Sequence, residues 1–165
     1  MSGGFGDLLA ANERYARSFG LSGFDGVAHA GIAMVTCMDS RIDPLGMVGL
    51  SPGDAKILRN AGGRVTARAL ASLVLSVHLL GVQRILVVAH SRCAVASSTA
   101  DELRAAVSDA SGQDASSLDV PVVEDQTAAL RRDVAVIRAH PLIPAEIEVG
   151  GFRYDVDTGR LHQLA

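Results

Sequence analysis

Two short apolar runs constrain the fold of this 165-residue chain more than any other feature. They read GIAMVTC at 31–37 and RILVVAH at 84–90, with little alternation between apolar and polar residues. Continuous apolar runs of this length are typical of strands in a parallel sheet whose two faces are both covered. Each run ends in a residue that can bind a metal ion, Cys37 in the first and His90 in the second.

The rest of the chain predicts further strands separated by helices. Short apolar stretches or apolar residues at helical spacing mark strand candidates at 54–60 and 146–156 and helix candidates at 7–19, 66–81 and 127–139. The segment 108–121 has the composition of a loop. Because strands alternate with helices, we predict one α/β domain over 1–165, with a mostly parallel sheet flanked by helices and a helical arm over residues 1–25.

The strand order decides where the candidate ligands lie. Ligand sites in such sheets lie outside the carboxyl ends of the strands, where the strand order reverses. If the first and third strands are neighbours and the second lies outside the first, Cys37 and His90 end side by side. The segment HSRC adds Cys93 three residues after His90. Two thiolates and one imidazole suit Zn²⁺ and leave the fourth tetrahedral position open, as in catalytic sites, so we predict one zinc ion per chain.

Each of these residues also has a simpler interpretation. A buried cysteine such as Cys37 is often only a small apolar side chain, and a lone H-x-x-C pattern arises by chance. We favour zinc because both cysteines, one histidine and an acid–base pair all fall at predicted strand ends. The remaining histidines lack Cys, Asp or Glu at ligand spacing in a comparable setting, and we assign structural or solvated positions to His29, His78, His140 and His162.

Asp39 and Arg41 follow Cys37 at alternate positions in CMDSR. As an exposed ion pair they would contribute about 0–1 kcal/mol to stability and have no chemical role. In a zinc site, Asp39 is a possible fourth ligand that would close the site. A bidentate pair with Arg41 would compete for that carboxylate and leave it to accept a hydrogen bond from water on the metal. We favour this second interpretation, in which Asp39 and Arg41 are catalytic.

Composition and charge narrow the classes of function. The net charge is −3, with 15 Lys and Arg against 18 Asp and Glu, and the basic residues are dispersed, which argues against nucleic acid as a partner. No apolar stretch approaches the roughly eighteen residues of a membrane helix, and we see no signal peptide. The protein is therefore expected to be cytoplasmic, where two cysteines are more often thiols or ligands than a disulfide.

The set Cys37-x-Asp39-x-Arg41 with His90-x-x-Cys93 resembles the β-class carbonic anhydrases. Further segments that resemble this family extend over nearly the whole chain: RNAGG at 59–63, LLGVQRILVVAHSRC at 79–93 and GFRYDVDTGRL at 151–161. The resemblance implies that Cys37, His90 and Cys93 bind zinc. It also implies that Asp39 and Arg41 form the dyad that releases the fourth zinc position to water.

The resemblance further implies a fold, an activity and an assembly. The fold is a parallel sheet in the order 2-1-3-4 with a C-terminal strand, and the activity is the reversible hydration of carbon dioxide to bicarbonate and a proton, by attack of zinc-bound hydroxide. The expected assembly is a homodimer or a higher even oligomer. Apolar residues over more than one face of the helix at 66–81, and Leu8, Tyr15 and Phe19 in the N-terminal segment, also favour an oligomer.

Two residues depart from the family pattern. Ala94 stands where the family commonly has glycine, beside the substrate pocket to which we also assign Gly62. Arg92, between His90 and Cys93, adds positive charge near the mouth of the site. These departures bear on rate and substrate, so two alternatives stay open. One is hydrolysis of carbonyl sulfide or carbon disulfide on the same scaffold, and the other is a zinc-binding homologue without catalysis.

Overall fold

The computed structural model describes residues 4–165, which contain one five-stranded sheet. The strands are β1 (Ile32–Cys37), β2 (Ala55–Asn60), β3 (Arg84–His90), β4 (Glu148–Tyr154) and β5 (Leu161–Gln163). They lie in the order β2-β1-β3-β4-β5. The first four are parallel to their neighbours, and β5 is antiparallel to β4. This confirms the predicted α/β class and the order 2-1-3-4 with a C-terminal strand.

Within the same residues the α-helices are α1 (Gly6–Ala16), α2 (Ala67–Leu79), α3 (Ala94–Ser97), α4 (Ala100–Ser111) and α5 (Gln126–Arg138). None of them is long and apolar enough to cross a membrane. Helices α1, α2 and α5 occupy the predicted places, with small shifts at their ends. The sequence patterns missed α4, and the prediction of a loop was wrong for residues 108–111, which are helical. Helix α4 buries no residue, but it carries Leu103 and Val107 at helical spacing, and Thr99 and Glu102 form a capping box, so two sequence signals for this helix were overlooked.

The main core lies between one face of the sheet and helices α2 and α5. All six residues of β1 are buried, because this strand is central and has β2 and β3 at its sides. Val35 of β1 packs in one cluster with Leu73 of α2 and Ile137 of α5. Leu73 and Ile137 belong to the apolar stripes from which both helices were predicted, and each is completely buried.

The other face of the sheet carries a groove with a mostly apolar lining. The side chains that line it include Val48, Leu50, Leu86 and Phe152. The N-terminal helix is similarly uncovered, since α1 buries none of its residues. The described chain therefore has two apolar surfaces that it does not itself cover.

Gly63, in the turn after β2, lies against the ends of β1 and β3. Its φ is 64°, and a methyl group there would lie 2.8 Å from the backbone nitrogen of Cys37 and 3.0 Å from the carbonyl oxygen of Val88. Both atoms belong to paired strands, which cannot separate without losing ladder hydrogen bonds. The absence of a side chain at Gly63 is what lets the RNAGG turn approach these strand ends.

Gly63→Ala is expected to destabilise the fold much more than Gly112→Ala. Both glycines have left-handed backbone, with φ of 64° and 68°, so both substitutions carry a similar conformational cost of about 1–2 kcal/mol. A Cβ at Gly112 meets no atom within 4 Å, whereas a Cβ at Gly63 meets the backbone of two strands. Urea unfolding followed by circular dichroism measures both losses. Equal losses in the two variants would contradict the close approach at Gly63.

Candidate metal centre

Cys37, His90 and Cys93 come together at the carboxyl edge of the sheet. All three are buried, and their potential ligand atoms lie within 4.8 Å of one another. Two sulfur atoms on one tetrahedral zinc ion are about 3.8 Å apart, so the cluster is close to the dimensions of an occupied site. No other group of three His, Cys, Asp or Glu side chains in residues 4–165 has this spacing. The histidines outside the cluster are His29, His78, His140 and His162.

Strand pairing explains why these residues meet. Cys37 is the last residue of β1 and His90 is the last residue of β3, and the two strands are parallel neighbours. The chain then turns, and Cys93 directly precedes α3. The backbone N–H of Ser91 donates to the carbonyl oxygen of Tyr154 at 2.9 Å, which holds this turn on the end of β4. The ligand turn is therefore fixed by the sheet.

The imidazole of His90 is oriented to bind a metal through Nε2. Its Nδ1 lies 2.9 Å from the carbonyl oxygen of Ser91, so Nδ1–H donates this hydrogen bond and Nε2 carries the lone pair. Nε2 is buried without a hydrogen-bond partner. Burial lowers the pKa of His90, which favours the neutral ring. A metal ion would satisfy this nitrogen, so the site fits zinc.

The two thiols share a buried and mostly apolar environment. Ile42, Met47 and Val95 pack around Cys37 and Cys93. Burial raises the pKa of the Cys93 thiol, and the adjacent Cys37 raises it further. Two neighbouring thiolates in such an environment need a cation to compensate their charge. This is a second reason why the cluster fits a divalent metal ion.

Arg41 holds Asp39 in a bidentate ion pair beside this cluster. Arg41 Nε donates to Asp39 Oδ1 at 2.9 Å, and Arg41 Nη2 donates to Oδ2 at 2.7 Å. The backbone N–H of Arg41 also donates to Oδ1, at 2.9 Å. These hydrogen bonds hold the pKa of Asp39 well below its usual range. Asp39 Oδ2 lies 3.9 Å from His90 Nδ1, so the carboxylate lies next to the ligand set.

Arg59 fixes the loop that carries Asp39 and Arg41. Its Nε donates to the carbonyl oxygen of Cys37 at 2.9 Å, and its Nη2 donates to that of Asp39 at 2.6 Å. From the sequence, Arg59 was recognised only as part of the RNAGG segment, and no role was predicted for it. Its acceptors are backbone carbonyl groups, whose positions depend on how the loop folds. A charged residue near the end of the apolar strand β2 is the one signal that could have found it.

Gln126, at the start of α5, is a second residue that the sequence patterns did not single out. Its Nε2 donates to the carbonyl oxygen of His90 at 3.0 Å. On the same helix, the buried carboxylate of Asp133 accepts hydrogen bonds from Arg64 at 2.6 and 2.9 Å. These contacts tie α5 to the end of β3 and to the turn after β2.

The residues assigned to the substrate pocket lie beside the ligand turn. Ala94 is exposed at the first position of α3, directly after Cys93. Gly62 is buried with a φ of 79°, and a Cβ there would lie 2.8 Å from Cγ2 of Val95. Both residues thus adjoin the segment that carries Cys93, and their contact with substrate stays a prediction.

Arg92 does not add an unpaired positive charge at the site. Its Nη2 lies 2.5 Å from Oδ1 of Asp157, and the two side chains are 60% and 58% exposed. Asp157 comes from a distant part of the sequence, so this partner could not be foreseen, and the effect of Arg92 on rate and substrate stays a prediction.

Comparison with known proteins identifies the family. Residues 32–161 match the family model described as carbonic anhydrase. The chain is 36% identical to β-carbonic anhydrase 1 of Mycobacterium tuberculosis, over 96% of each chain. It is 32% identical to a carbon disulfide hydrolase of Acidithiobacillus thiooxidans, over 76% of this chain and 72% of that protein. Its structure is similar to that of a carbonic anhydrase from Streptococcus mutans, with a TM-score of 0.87, 37% identity and 100% coverage of both chains.

The region that matches the family model includes the whole metal centre. It begins at Ile32 in β1 and ends at Leu161 in β5, so it contains Cys37, His90 and Cys93. The similarity to the Streptococcus mutans structure extends over the full length of both chains. The chain therefore belongs to the β-carbonic anhydrase family, as its motifs predicted.

Proposed function

We propose that this protein catalyses the zinc-dependent, reversible hydration of carbon dioxide to bicarbonate and a proton. The observation that carries the proposal is the buried cluster of Cys37, His90 and Cys93, in which His90 Nε2 has no hydrogen-bond partner. Two thiolates and one imidazole form a zinc ligand set that leaves a fourth position open. The 36% identity to β-carbonic anhydrase 1 of Mycobacterium tuberculosis supports the same activity.

Each residue of the centre has a defined part in this proposal. Zinc bound there would act as a Lewis acid and make a water molecule acidic enough to serve as the nucleophile. Cys37, Cys93 and His90 would hold the ion. The carbonyl oxygen of Ser91 accepts a hydrogen bond from Nδ1 of His90, which fixes the orientation of the ring and leaves Nε2 to bind the ion. Asp39 accepts a hydrogen bond from the nucleophile. Thiolate ligands require reduced cysteines, which supports the cytoplasm as the location.

Arg41 keeps Asp39 away from the metal position. A carboxylate this close to a divalent cation is attracted to it, and as a fourth ligand it would exclude the nucleophile. The guanidinium of Arg41 engages both carboxylate oxygens, at 2.9 and 2.7 Å. A planar guanidinium matches a carboxylate in this geometry, whereas a lysine ammonium does not. Asp39 and Arg41 are therefore the proposed catalytic pair.

Hydrolysis of carbon disulfide or carbonyl sulfide is the second candidate function. The 32% identical protein of Acidithiobacillus thiooxidans bears the name carbon disulfide hydrolase. The same nucleophile can attack the central carbon of each of these linear molecules. Gly62 and Ala94, as the proposed lining of the substrate pocket, would then select among them by shape. A zinc-binding homologue without catalysis is the remaining alternative.

Purified protein is expected to contain close to one zinc ion per chain and to hydrate carbon dioxide. Cys37→Ser and His90→Gln each remove a ligand atom, so both should lose most of the zinc and most of the activity. His29→Gln is the control, because His29 is 53% exposed and lies outside the cluster. Metal analysis measures the zinc, and stopped-flow hydration assays measure the activity, with hydrolysis of carbonyl sulfide and carbon disulfide assayed in parallel.

The possible results separate the candidate functions. Zinc-free protein that is folded and hydrates carbon dioxide would refute the metal assignment. Zinc-loaded protein that turns over carbon disulfide or carbonyl sulfide alone would replace the first function by the second. Zinc-loaded protein that turns over none of the three substrates would identify a homologue without catalysis.

Arg41→Ala is expected to keep its zinc and its fold while losing most of the hydration activity. Without the guanidinium, the carboxylate of Asp39 is free to take the fourth position on the metal. Arg41→Lys should recover only part of the activity, because an ammonium group cannot reproduce the bidentate geometry. Arg132→Ala, on the exposed side of α5, is the matched control. Near-normal hydration activity in zinc-loaded Arg41→Ala would show that Asp39 and Arg41 form a structural ion pair without a catalytic role.

We also propose that the protein is a homodimer or a higher even oligomer. Leu8 and Leu9 of α1 are 60% and 64% exposed, and the helix buries none of its residues. The sheet groove that includes Leu86 and Phe152 is a second apolar surface. Contiguous apolar surfaces of this kind are typical of protein interfaces. A second copy of the chain supplies the cover that both surfaces lack within residues 4–165.

Analytical ultracentrifugation at micromolar concentration should give the mass of a dimer or of an even multiple. The double variant Leu8→Glu, Leu9→Glu places two charges in the apolar surface of α1 and should shift the protein toward monomer. Glu13→Gln, at a polar position of the same helix, should leave the mass unchanged. A wild-type protein that sediments as a monomer would refute the assembly.

A further inference from the structure

The two strands that carry metal ligands separate at their carboxyl ends. Strand β1 stays paired with β2 as far as Cys37, and β3 stays paired with β4 as far as His90. The pairing between β1 and β3 ends earlier, at Thr36 and Val88. Cys37 and His90 therefore lie just beyond the point at which their strands part.

The turn after β2 lies against this point of separation. A Cβ at Gly63 would lie 2.9 Å from the carbonyl carbon of Thr36 and 3.0 Å from the carbonyl oxygen of Val88. Packing of this kind limits how closely the two strand ends can approach each other. It does not stop them from moving apart, so another interaction must limit their separation.

Thr36 makes a side-chain hydrogen bond across the last pair of residues. Its Oγ1 donates to the carbonyl oxygen of Val88 at 3.1 Å. The side chains of both residues are completely buried. Apart from Cys37, the other residues of β1 are apolar. A hydroxyl group in such a strand is costly to bury unless it is hydrogen-bonded, and the carbonyl of Val88 satisfies this one.

Other side chains tie each ligand strand to a different neighbour. Arg59 of β2 donates to the carbonyl oxygen of Cys37, and Gln126 of α5 donates to that of His90. Neither of these hydrogen bonds links β1 to β3. The hydrogen bond of Thr36 does so directly, one residue before Cys37 on one strand and two residues before His90 on the other.

We propose that Thr36 is a positioning residue whose hydroxyl group sets the distance between Cys37 and His90. This inference rests on the proposed function, because that distance matters for the chemistry only if the two residues share a metal ion. Without the hydroxyl group, the ends of β1 and β3 lose their side-chain tie and move apart. All three ligand side chains would remain, but their spacing would no longer match one tetrahedral ion.

Two substitutions at Thr36 separate the hydrogen bond from the packing. Thr36→Val keeps the shape and removes the hydroxyl group, whereas Thr36→Ser keeps the hydroxyl group and removes a methyl group. If the hydrogen bond positions the ligands, Thr36→Val is the more damaging change, and if packing does so, Thr36→Ser is. Ser76→Ala is the control, because the buried hydroxyl of Ser76 donates to the carbonyl oxygen of Ser72 within α2.

Titration of the zinc-free, full-length proteins with Co²⁺ measures binding at the centre. Co²⁺ accepts the same ligands as Zn²⁺ and, unlike Zn²⁺, absorbs visible light. Thr36→Val should bind Co²⁺ about tenfold more weakly than the wild type, a typical loss when a residue behind the ligands is changed. Thr36→Ser and Ser76→Ala should bind Co²⁺ as the wild type does.

A second readout needs no metal ion. Crystal structures of the zinc-free wild type, Thr36→Val and Thr36→Ser give the distance between the Cα atoms of Cys37 and His90. Thr36→Val should lengthen this distance by more than about 0.5 Å, the tolerance of a preorganised site, and Thr36→Ser should leave it unchanged. If the wild type binds no metal ion, the proposed function fails, and these structures still decide whether Thr36 sets the distance.

Two results would overturn the inference. If Thr36→Val keeps the wild-type Cα distance, or keeps the affinity of a wild type that binds Co²⁺, the hydroxyl group does not position the ligands. If Thr36→Ser changes the distance or the affinity as much as Thr36→Val does, the effect belongs to packing and not to the hydrogen bond.

Discussion

The parallel pairing of β1 with β3 is the constraint on which the rest of the structure depends. Because the two strands run in the same direction, their last residues, Cys37 and His90, emerge at one edge of the sheet. An antiparallel pair would place these side chains at opposite ends. The turn at Gly63 and the side chain of Arg59 then pack against the same edge, so the neighbouring segments are arranged around this single pairing.

Around the candidate metal centre lie three arginine–aspartate pairs, two of which link segments that are distant in sequence. The pairs are Arg41 with Asp39, Arg92 with Asp157, and Arg64 with Asp133. The first lies beside the ligand set, the second joins the ligand turn to the chain after β4, and the third joins the turn after β2 to α5. The three aspartates of these pairs are thus each engaged by an arginine, whereas Nε2 of the buried His90 has no partner.

Whether an element or a contact could be predicted from the sequence depends on whether the interaction that stabilises it leaves a local sequence pattern. The strands β1 and β3 could be predicted because burial on both faces requires continuous apolar runs, and the ligand set because Cys and His have recognisable metal chemistry. Helix α4 was missed although Leu103 and Val107 lie four residues apart, because the helix buries no residue and these two are its only large apolar side chains. Arg59 binds backbone carbonyls, and the partner of Arg92 follows it by 65 residues, so neither contact leaves a local pattern.

The contacts of Arg59 have a consequence for the geometry of the candidate metal centre. They hold the carbonyl groups of Cys37 and Asp39 in place through the protein's own hydrogen bonds, while Gln126 does the same for His90. The backbone beneath the three ligand side chains is thus held by side chains that are not themselves ligands. A substitution at Arg59 or Gln126 would then disturb the ligand positions without removing a ligand atom. Two sulfur ligands favour soft and borderline ions over Mg²⁺ and Ca²⁺.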